Sequence, residues 1–580
     1  MKFDNQELVL KDGHRVAIIG GGPGGSSCAI KLLRESKKRG LHLEVLVLEG
    51  KDFDFHYNQC VGVLSPPIER LLKDGLEIEL PENLINRKIF GYRLHSYNNH
   101  ILLVGSNGHE PTYTIRRIEF DRFLLETAAS LGAKIIRCRV DHVEFLKNSH
   151  HDEVRIYHEG GFLKADIAVG AFGLDETMLL AWEKATKNAG GYQRPRKVLT
   201  SFITKIPIEE TYLDRKLGSM ICAFLLPTTI PGIEFGAITP KKGEMIVNVA
   251  GEKISSIHLD AFLSQPEVKK YLPELDLDKI EIFRGHFPTA PAKNVYGHRY
   301  VTIGDATGWV RPFKGKGINT AIFTGIQAAE TMLKFGISGE AFKNYEMSCK
   351  ALLDDYLYGA FVRHLCKFGS RLFLPLFIEL AKVDPLAYEA LFNSVSGHDS
   401  YKNILHHLPK WSLIQKFFTA FIKSKLPIKK SRSIKMENIK VRQLLPSDIN
   451  SVIEIDKKIT EKQNEGYWEA KLANYLSREP GACFAALDGD RVIGFVLGDI
   501  RGWEYAVPFS GWLEVIGVDP EYRGLQVGKL LIDTLFAYFQ SKEVKAVHTM
   551  VNWNEGDLVD YFRAHGFERG EYINLTKKLD

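Results

Sequence analysis

A glycine-rich stretch near the start of the chain has the residue types and spacing needed to hold a pyrophosphate. Residues 20–25 read GGGPGG and contain Gly-x-Gly-x-x-Gly, between an apolar run at 15–19 and a helical pattern that continues to Lys38. In this pattern the first glycine permits a tight turn, the second lets the backbone approach a phosphate, and the third packs helix against strand. The helix N-terminus then faces the anion. The residues of this predicted loop are Gly20, Gly22, Pro23, Gly24 and Gly25.

An acid and a second glycine block extend the prediction of a dinucleotide site. Glu49 ends the next strand-like run, where its carboxylate can accept hydrogen bonds from ribose hydroxyls. Far downstream, a strand-like run at 300–304 leads into Asp305 and then into the loop 312–318 (PFKGKGI). A carboxylate at a strand end can hold a ribityl hydroxyl, and N–H groups at a helix start can face the electron-rich edge of a flavin. This block contributes Gly304, Asp305, Gly315, Gly317 and Ile318.

A third anion-binding pattern lies near the other end of the chain. An alternating strand pattern at 511–519 (GWLEVIGVD) precedes the loop 520–528 (PEYRGLQVG) and a helical pattern at 526–541. The N–H groups of the loop would face phosphates at the helix start, and the charge of Arg523 would strengthen their attraction. The candidate binding residues here are Arg523, Gly524, Val527, Gly528 and Lys529.

Glu514 is the candidate for proton transfer on the strand that precedes this loop. Strict alternation places Glu514 on the same face as Trp512 and Ile516. A carboxylate there could act as a general base for an amine, directly or through water. A solvated strand carboxylate without a catalytic role is an equally good interpretation.

The elements that must position these residues follow from hydrophobic periodicity. Apolar runs at 15–19 and 43–49 flank the first loop and its helix, which indicates the β-loop-α-β start of a parallel sheet. An amphipathic helix is predicted at 118–131, and alternating strands at 197–250 indicate an antiparallel sheet that covers the first domain. Nearly all of 340–423 has a helical pattern.

The domain limits are predicted from a basic segment. Residues 423–435 contain five Lys, one Arg, one Pro and no acid, which is typical of a linker. We predict a first region at 1–425 with a helical tail at 340–425, a linker at 426–438, and a separate α/β domain at 439–580.

Composition excludes several classes of protein. The chain has 580 residues, of which 45% are hydrophobic and 25% charged, as in ordinary globular proteins. Its net charge of +5 is too small and dispersed to predict nucleic-acid binding. Seven scattered cysteines without CxxC spacing indicate free thiols in a reducing compartment, and no metal site is predicted. No signal peptide or apolar run of about 18 residues is present, so we expect a cytoplasmic protein.

A candidate amphipathic stripe allows two interpretations of membrane contact. It could lie on an anionic bilayer, beside the basic linker. It could instead dock on the flavin domain, as most amphipathic helices face a protein core. The stripe consists of Trp411, Ile414, Phe417, Phe418, Phe421 and Ile422.

The two N-terminal blocks together resemble the FAD-dependent oxidoreductases of the aromatic-hydroxylase superfamily, and within it the geranylgeranyl reductase family. The resemblance covers about residues 14–400 and is carried by GGGPGG at 20–25, Cys60-Val-Gly62, RIEFD at 117–121 and GDATGWVRPFKGKGI at 304–318. It implies a Rossmann-like FAD-binding domain with an antiparallel β substrate domain and a helical segment.

The resemblance also implies roles for particular residues. The ADP half of FAD would be held by Gly20, Gly22, Gly25 and Glu49. Arg117 would lie near the pyrophosphate, Asp305 on the ribityl chain, and Gly315 and Gly317 beside the isoalloxazine ring. Cys60 lies in a loop that approaches the flavin in the family. It is either a functional flavin-proximal thiol or a small buried hydrophobe.

Two departures from the family concern the donor and the substrate. The mid-chain acid between small residues is Phe172 here, which puts a nicotinamide role of this segment in doubt. The aromatic stretch that shapes the family's prenyl pocket keeps only Phe235 of three aromatics before Pro240. The flavin fold is therefore the firmer expectation, and a prenyl substrate the weaker one.

The C-terminal pattern resembles the GNAT acyltransferase family, whose loop reads Arg/Gln-x-x-Gly-x-Gly/Ala. The match runs over about 440–580 and implies an α/β domain with a mixed sheet, in which the backbone of Ile516 to Val518 binds the pantetheine arm of acyl-CoA. Gln526 replaces the first loop glycine, which is tolerable if its backbone is helical. Phe562 occupies the position at which the family often has a tyrosine that protonates the leaving thiolate. Tyr561 precedes it and is expected to point elsewhere, although it stays a candidate catalytic residue.

We therefore expect a bifunctional enzyme. One part would be a geranylgeranyl-reductase-like FAD oxidoreductase of a small molecule or lipid, with NAD(P)H as a candidate electron donor. The other would transfer an acyl group from acetyl-CoA or another acyl-CoA to an amine. Two alternatives stay open: a flavin monooxygenase of a lipid or natural product fused to the GNAT domain, and a sensor or scaffold that binds cofactors without turnover.

Overall fold

The computed structural model divides the chain into two compact units, Met1–Ser424 and Lys425–Asp580. The predicted linker at 426–438 and the amphipathic stripe around Trp411 lie outside the described residues, so the exact domain limits stay a prediction. The structure describes residues 8–54, 60–96, 99–105, 109–146, 153–225, 230–274, 280–311, 316–368, 373–407, 439–460, 465–502, 509–522, 525–551, 561–562 and 565–568.

The first unit combines parallel and antiparallel sheets. Its described strands are β1 (Arg15–Ile19), β2 (Glu44–Leu48), β3 (Val63–Leu64), β4 (Ile85–Ile89), β5 (Gly91–Ser96), β6 (Asn99–Val104), β7 (Thr112–Ile115), β8 (Lys134–Ile136), β9 (Val140–Leu146), β10 (Glu153–His158), β11 (Gly161–Ala165), β12 (Ile167–Gly170), β13 (Val198–Pro207), β14 (Met220–Phe224), β15 (Ile233–Lys241), β16 (Glu244–Gly251), β17 (Ile282–Pro288), β18 (Tyr296–Gly297) and β19 (Tyr300–Thr302).

The helices of this unit pack around those sheets and form most of the region after residue 316. The described ones are α1 (Pro23–Lys38), α2 (Ile68–Arg70), α3 (Arg117–Ser130), α4 (Glu176–Thr186), α5 (Glu210–Lys216), α6 (Ser256–Leu263), α7 (Pro266–Lys269), α8 (Gly317–Lys334), α9 (Lys343–Ser348), α10 (Lys350–Phe368), α11 (Phe373–Val383), α12 (Pro385–Ser396) and α13 (Tyr401–His407). Within the described ranges, no helix is both long and apolar enough to span a bilayer.

The parallel sheet explains why distant residues meet at one edge. Its order is β18-β19-β12-β1-β2-β8, and all pairs except β18–β19 are parallel. Apolar side chains bury β1, β2 and β12 on both faces, as a parallel sheet requires. The strands end in register, with Ile19 beside both Leu48 and Gly170. The residues that follow these strands therefore share the carboxyl edge, where ligands of such sheets bind.

The second large sheet has the order β17-β13-β16-β15-β14-β5-β6. The antiparallel pairing predicted for 197–250 is confirmed for β13 to β16, and the one parallel junction among the described strands of this sheet joins β14 to β5, which lies outside that range. Strand β5 comes from the segment before residue 116 and adds to the edge of the later hairpins. One face of this sheet packs against α6, and the other carries Phe235 and Ala237 toward α11 and α12.

The second unit is a mixed five-stranded sheet flanked by helices, among the residues described. Its elements are β20 (Ile439–Gln443), α14 (Ile449–Thr460), α15 (Glu465–Arg478), β21 (Cys483–Asp488), β22 (Arg491–Arg501), β23 (Ser510–Val518), α16 (Val527–Ser541) and β24 (Val547–Thr549). The strands follow in chain order, antiparallel except for the parallel pair β23–β24. Apolar residues of α16 cover one face of the sheet, and those of α14 and α15 cover the other.

Candidate functional sites

Helices α1 and α8 bring the two N-terminal glycine blocks together. A Cβ on Gly325 would overlap the carbonyl oxygen of Gly24, so the two helices touch backbone to backbone at this point. A Cβ on Gly24 would lie 3.3 Å from the Ala321 carbonyl oxygen on the other side of the contact. This glycine-mediated packing fixes the N-terminus of α1 beside the N-terminal half of α8.

The first glycine loop has distinct geometry at each glycine. Gly20 has a φ of +110°, which side chains rarely adopt. A Cβ on Gly25 would overlap the carbonyl oxygen of Gly20, so only glycine allows the turn to close. A Cβ on Gly22 would meet nothing within 4 Å, so this N-cap of α1 faces open space. That space is what a phosphate would need to reach the backbone.

Glu49 is buried at the carboxyl edge and braces the glycine loop. Its Oε2 accepts a hydrogen bond from the Gly21 amide at 2.7 Å, and Oε1 accepts one from the Lys51 amide at 2.8 Å. Each carboxylate oxygen has two acceptor positions, so these bonds leave capacity for a ribose hydroxyl.

Asp305 presents a buried acceptor without a partner. Its Oδ1 forms no hydrogen bond with any residue that the structure describes. A Cβ on Gly317 would lie 2.9 Å from the same oxygen, which places the carboxylate against the N-terminus of α8. Burial raises the pKa of Asp305, and the opposing charge of Arg117 only partly offsets it. A hydroxyl donor at this point would satisfy the orphaned oxygen, so the residues present fit a flavin's ribityl chain.

Arg117 lies close enough to Asp305 to lower its pKa, and Cys60 interacts with Arg117. Arg117 begins α3 and donates two hydrogen bonds of 2.9 Å to the Asp121 carboxylate. Burial opposes the guanidinium charge, but Asp121 and Cys60 together raise the pKa of Arg117. The Cys60 sulfur also accepts a bond from the Gly62 amide at 3.4 Å. Cys60 is the one half-buried cysteine of the seven, so its thiol, unlike the others, remains accessible.

Three other residues are predicted to lie at the flavin, and two of them are in the described part of the chain. Gly304, with a φ of +68°, donates from its amide to the Thr324 hydroxyl at 2.9 Å, and Ile318 is buried. Gly315 lies outside the described residues.

Phe172, which stands where the family has an acid, packs edge-on against Trp182 with ring centroids 5.5 Å apart. This half-buried ring therefore packs against the core at the end of β12.

The C-terminal loop enters α16 through a strained residue. Gln526, the N-cap of α16, has φ 57° and ψ 17°, which is left-handed backbone and not the right-handed helix that the sequence allowed for. A glutamine therefore occupies a conformation that favours glycine. Val527 is buried under the helix start, and the exposed Lys529 forms an ion pair with Asp533. Arg523 and Gly524 lie outside the described residues.

Tyr561 reaches the start of α16, and the expectation that it points elsewhere is wrong. A Cβ on Gly528 would overlap the Tyr561 hydroxyl, which has no hydrogen-bond partner among the described residues. Burial, with the Asp533 carboxylate, raises the pKa of Tyr561 to about 12. Phe562, only 4% exposed, packs in the core against Phe567 instead. The hydroxyl that faces the loop thus comes one residue earlier than the family pattern indicates.

Strand β23 separates from its neighbour where acyl-CoA is expected to bind. Strand β24 pairs with β23 only over Gly511–Leu513, whereas β23 continues to Val518. On the other edge, Ile516 and Val518 pair with β22. Among the described residues no strand covers Ile516–Val518 on the β24 side, which is the edge where the resemblance places the pantetheine arm.

Glu514 has a different environment from the predicted one. A β-bulge leaves it without a partner between Leu513 and Val515, and so Ile516 packs on the Leu513 face, not on that of Glu514. Its carboxylate accepts hydrogen bonds from Arg501 at 3.0 Å and Lys471 at 3.4 Å. Burial would raise the pKa of Glu514, but these two cations outweigh it and lower that pKa. Such a carboxylate is a weak base, so the geometry favours a structural ion pair.

Comparisons with known proteins match both units. Residues 449–567 match the family described as Acetyltransferase (GNAT) family. Digeranylgeranylglycerophospholipid reductase 2 of Methanosphaera stadtmanae is 25% identical over 422 residues, covering 68% of this chain and 96% of the relative. Geranylgeranyl diphosphate reductase of Synechocystis sp. is 26% identical over 339 residues, covering 56% of this chain and 77% of the relative.

A solved structure shows the fold of the first unit. A geranylgeranyl bacteriochlorophyll reductase-like protein from Thermoplasma acidophilum superposes with a TM-score of 0.53 at 18% identity, covering 70% of this chain and 100% of the other. The chain therefore joins an oxidoreductase unit, related in sequence and fold to geranylgeranyl reductases, to a C-terminal domain of the GNAT acetyltransferase family.

Proposed function

We propose that the first unit binds FAD without a covalent bond and reduces carbon–carbon double bonds in the apolar chain of a lipid. The orphaned, buried Oδ1 of Asp305 at the N-terminus of α8 carries the flavin half of this proposal. The two reductases that match most of the unit support the lipid half, since both are named for geranylgeranyl substrates.

The chain's own residues would bind and orient the cofactor. The loop at Gly20–Gly25 and the N-terminus of α1 would hold the pyrophosphate, and Glu49 the adenosine ribose. Asp305 would accept from a ribityl hydroxyl, and the start of α8 at Gly317 would face the flavin's electron-rich edge. FAD, when bound, supplies the hydride chemistry.

Product analysis distinguishes reduction from the monooxygenase alternative. The holoprotein is incubated without oxygen with a geranylgeranyl lipid and chemically reduced flavin. We expect products heavier by two hydrogens per reduced double bond. A product heavier by one oxygen atom, formed only in air, would show that the chain is a monooxygenase. Absence of any product, both without oxygen and in air, would favour the scaffold alternative.

We propose NADH or NADPH as the electron donor. Phe172 stands at the position where the family has an acid, so the carboxylate that the family has there is replaced by a phenyl ring that packs on Trp182. The donor would therefore bind elsewhere on the unit. Anaerobic mixing with each nucleotide tests this, because a competent donor bleaches the 450 nm flavin band at a saturable rate. Bleaching by neither nucleotide would indicate a protein donor.

The C-terminal domain is proposed to transfer an acyl group from acetyl-CoA, or another acyl-CoA, to an amine. The loop before α16 would bind the pyrophosphate, and the free edge at Ile516–Val518 the pantetheine arm. Tyr561 would protonate the leaving thiolate, because its hydroxyl is protonated at neutral pH and lies at the start of α16 with no hydrogen-bond partner in the described part of the chain. Glu514 is not expected to act as the base.

Tyr561→Phe tests the acid role. General acid catalysis contributes about 10²-fold or more, so kcat should fall by roughly that factor with little change in acetyl-CoA affinity. Phe562→Tyr is the control. Because Phe562 is in the core, a hydroxyl there should destabilise the domain and not restore activity to the Tyr561→Phe protein. Rescue by Phe562→Tyr would show that the family position is the acid after all.

Membrane contact stays a prediction. The stripe around Trp411 would bring the first unit to a lipid surface, and its residues lie outside the described ones. Cosedimentation with anionic and neutral vesicles would test it.

A further inference from the structure

Lys241 places a buried ammonium beside the Cys60 loop. The residue ends β15 and is 2% exposed. A Cβ on Gly62 would lie 3.1 Å from its Nζ, and the Gly62 amide is the group that bonds the Cys60 sulfur. Neither a hydrogen bond nor an ion pair to a described residue satisfies this ammonium. In the sequence, Lys241 directly follows Pro240 of the family's aromatic stretch, but Lys241 is not among the predicted site residues.

Among the described residues, no carboxylate forms an ion pair with Lys241. Lys205 on β13 and Arg116 before α3 are cations close enough to disfavour its charge. Glu244 on β16 faces it across the hairpin and favours its charge, as does Cys60, but Glu244 forms no ion pair with it. A buried charge is normally paired, because an unpaired one loses its hydration without compensation.

Burial has a measurable effect on this group. It lowers the pKa of Lys241 to about 8, with Lys205 and Arg116 adding to the effect and Glu244 and Cys60 opposing it. An anion bound beside Nζ would hold the proton on the lysine.

A strip that begins with apolar side chains leads along one face of β15 to Lys241. Side chains alternate along a strand, so Phe235, Ala237, the buried Thr239 and Lys241 share this face. Phe235 and Ala237 are half-buried, and the ring of Phe287 on β17 lies 6.4 Å from that of Phe235. At about 3.3 Å per residue, the strip runs roughly 20 Å from Phe235 to the lysine.

We propose that Lys241, with Lys205 beside it, anchors the anionic group of an amphiphilic substrate whose apolar chain runs along Phe235 and Ala237. The phosphate or diphosphate oxygens would supply the buried ammonium with a counter-ion, which it does not find among the described residues. This assignment rests on the proposed lipid reductase function and adds the residue that selects the charged end of the substrate.

Paired ligands that differ only in charge test the anchor. Full-length holoprotein is titrated by calorimetry with geranylgeranyl diphosphate and with geranylgeraniol, and then with dodecyl phosphate and dodecanol. The wild type should bind each anionic ligand more tightly than its alcohol. Lys241→Met should weaken the anionic ligand by about 10- to 100-fold and leave the alcohol unchanged. Lys242→Met, at the exposed next position, should change neither ligand.

The pH dependence gives a second measurement. Wild-type preference for the anion should decline as the pH rises through about 8, because Lys241 then loses its proton. Lys241→Arg should keep the preference at higher pH, since arginine stays charged. Lys241→Met should have no preference left to titrate.

Several outcomes would overturn the anchor. The anchor is wrong if Lys241→Met weakens the binding of both ligands equally, or if it leaves the preference for the anionic ligand over its alcohol unchanged. Loss of flavin with that preference intact would mean that Lys241 pairs with the cofactor. If no anionic amphiphile binds the wild type, the anchor is also wrong. If dodecyl phosphate binds through Lys241 but no geranylgeranyl ligand does, the anchor stands and the prenyl substrate is wrong.

Discussion

At the scale of single residues, the most informative groups are those whose local state only a ligand explains. Asp305 keeps an unsatisfied acceptor in a buried position, and Gln526 keeps a left-handed backbone at a helix start. Both conflict with what a stable fold alone would select, and both lie where a phosphate-bearing cofactor is proposed.

Asp305→Asn should affect stability and flavin binding in opposite directions. The amide removes a buried charge, so the flavin-free protein should gain roughly 1–3 kcal/mol at pH 7. The loss of a charged acceptor should weaken FAD by about 10- to 100-fold. Urea unfolding of the flavin-free protein and fluorescence titration with FAD measure the two effects. Unchanged FAD affinity would remove Asp305 from the site.

The pH dependence of Asp305 has a defined sign. Its folded pKa is raised, so the native state holds the proton more tightly than the unfolded chain. Its contribution to the stability of the flavin-free protein is therefore greatest below about pH 4, the unfolded value, and declines as the pH rises through the folded pKa. Unfolding at a series of pH values should show this component in the wild type and not in Asp305→Asn.

Gln526→Gly should stabilise the C-terminal unit. Glycine adopts positive φ without strain, so we expect a gain of about 1 kcal/mol. Gln526→Ala is the matched control, because alanine meets the same strain and the glutamine side chain is exposed. The midpoint of the urea transition of this unit is the measurement. An equal gain from alanine would locate the effect in the side chain and not in the backbone.

At the scale of elements, α1 and α8 form a pair whose N-termini are proposed to bind the pyrophosphate and the flavin ring of one FAD. Their contact depends on Gly24 and Gly325, where the backbones touch. The space around each glycine shows whether the fold or the ligand requires a residue without a side chain at that position.

Two alanine substitutions in the first loop should have different consequences. Gly25→Ala would drive a Cβ into the Gly20 carbonyl, so the fold itself should lose stability. Gly22→Ala meets nothing within 4 Å and has an ordinary φ of −68°, so the fold should tolerate it. Its methyl would still occupy the space of a phosphate, and FAD content should fall. Circular dichroism and flavin absorbance distinguish the two effects. Normal flavin content in Gly22→Ala would place the pyrophosphate elsewhere.

At the scale of the whole molecule, two units with separate cores share one chain. Contacts cluster within Met1–Ser424 and within Lys425–Asp580, and each set has its own buried clusters. An assembly of this kind keeps two reactions on one polypeptide without requiring a common active site.

Each of the two units should therefore fold independently when expressed without the other. Separate expression of 1–430 and 431–580 should give a yellow, flavin-retaining protein and a protein that binds acetyl-CoA without flavin. Gly528→Asp in the second fragment should abolish that binding, because the carboxylate adds bulk and like charge at the start of α16. Calorimetry and flavin absorbance are the measurements. Aggregation of both fragments would mean that the units share a core.

The sequence by itself determined the features that depend on neighbouring residues. The bounds of β1, α1, α3, α8 and α16 lie within a few residues of the periodic patterns, because side-chain period and helix-start residues act locally. The glycine loops were found for the same reason. Both family resemblances were also evident, since each motif that carries them is a short continuous stretch of the chain.

Only the tertiary structure decided the features that depend on packing between distant segments. A bulge in β23 turned Ile516 away from the face of Glu514, and the contact with Gly528 selected Tyr561 over Phe562. Lys241 gained its buried place because β15 ends against the Gly62 loop, about 180 residues away in the chain. Alternation along a strand and motif spacing carry no information on such contacts, because a bulge or a one-residue shift reverses which way a side chain points.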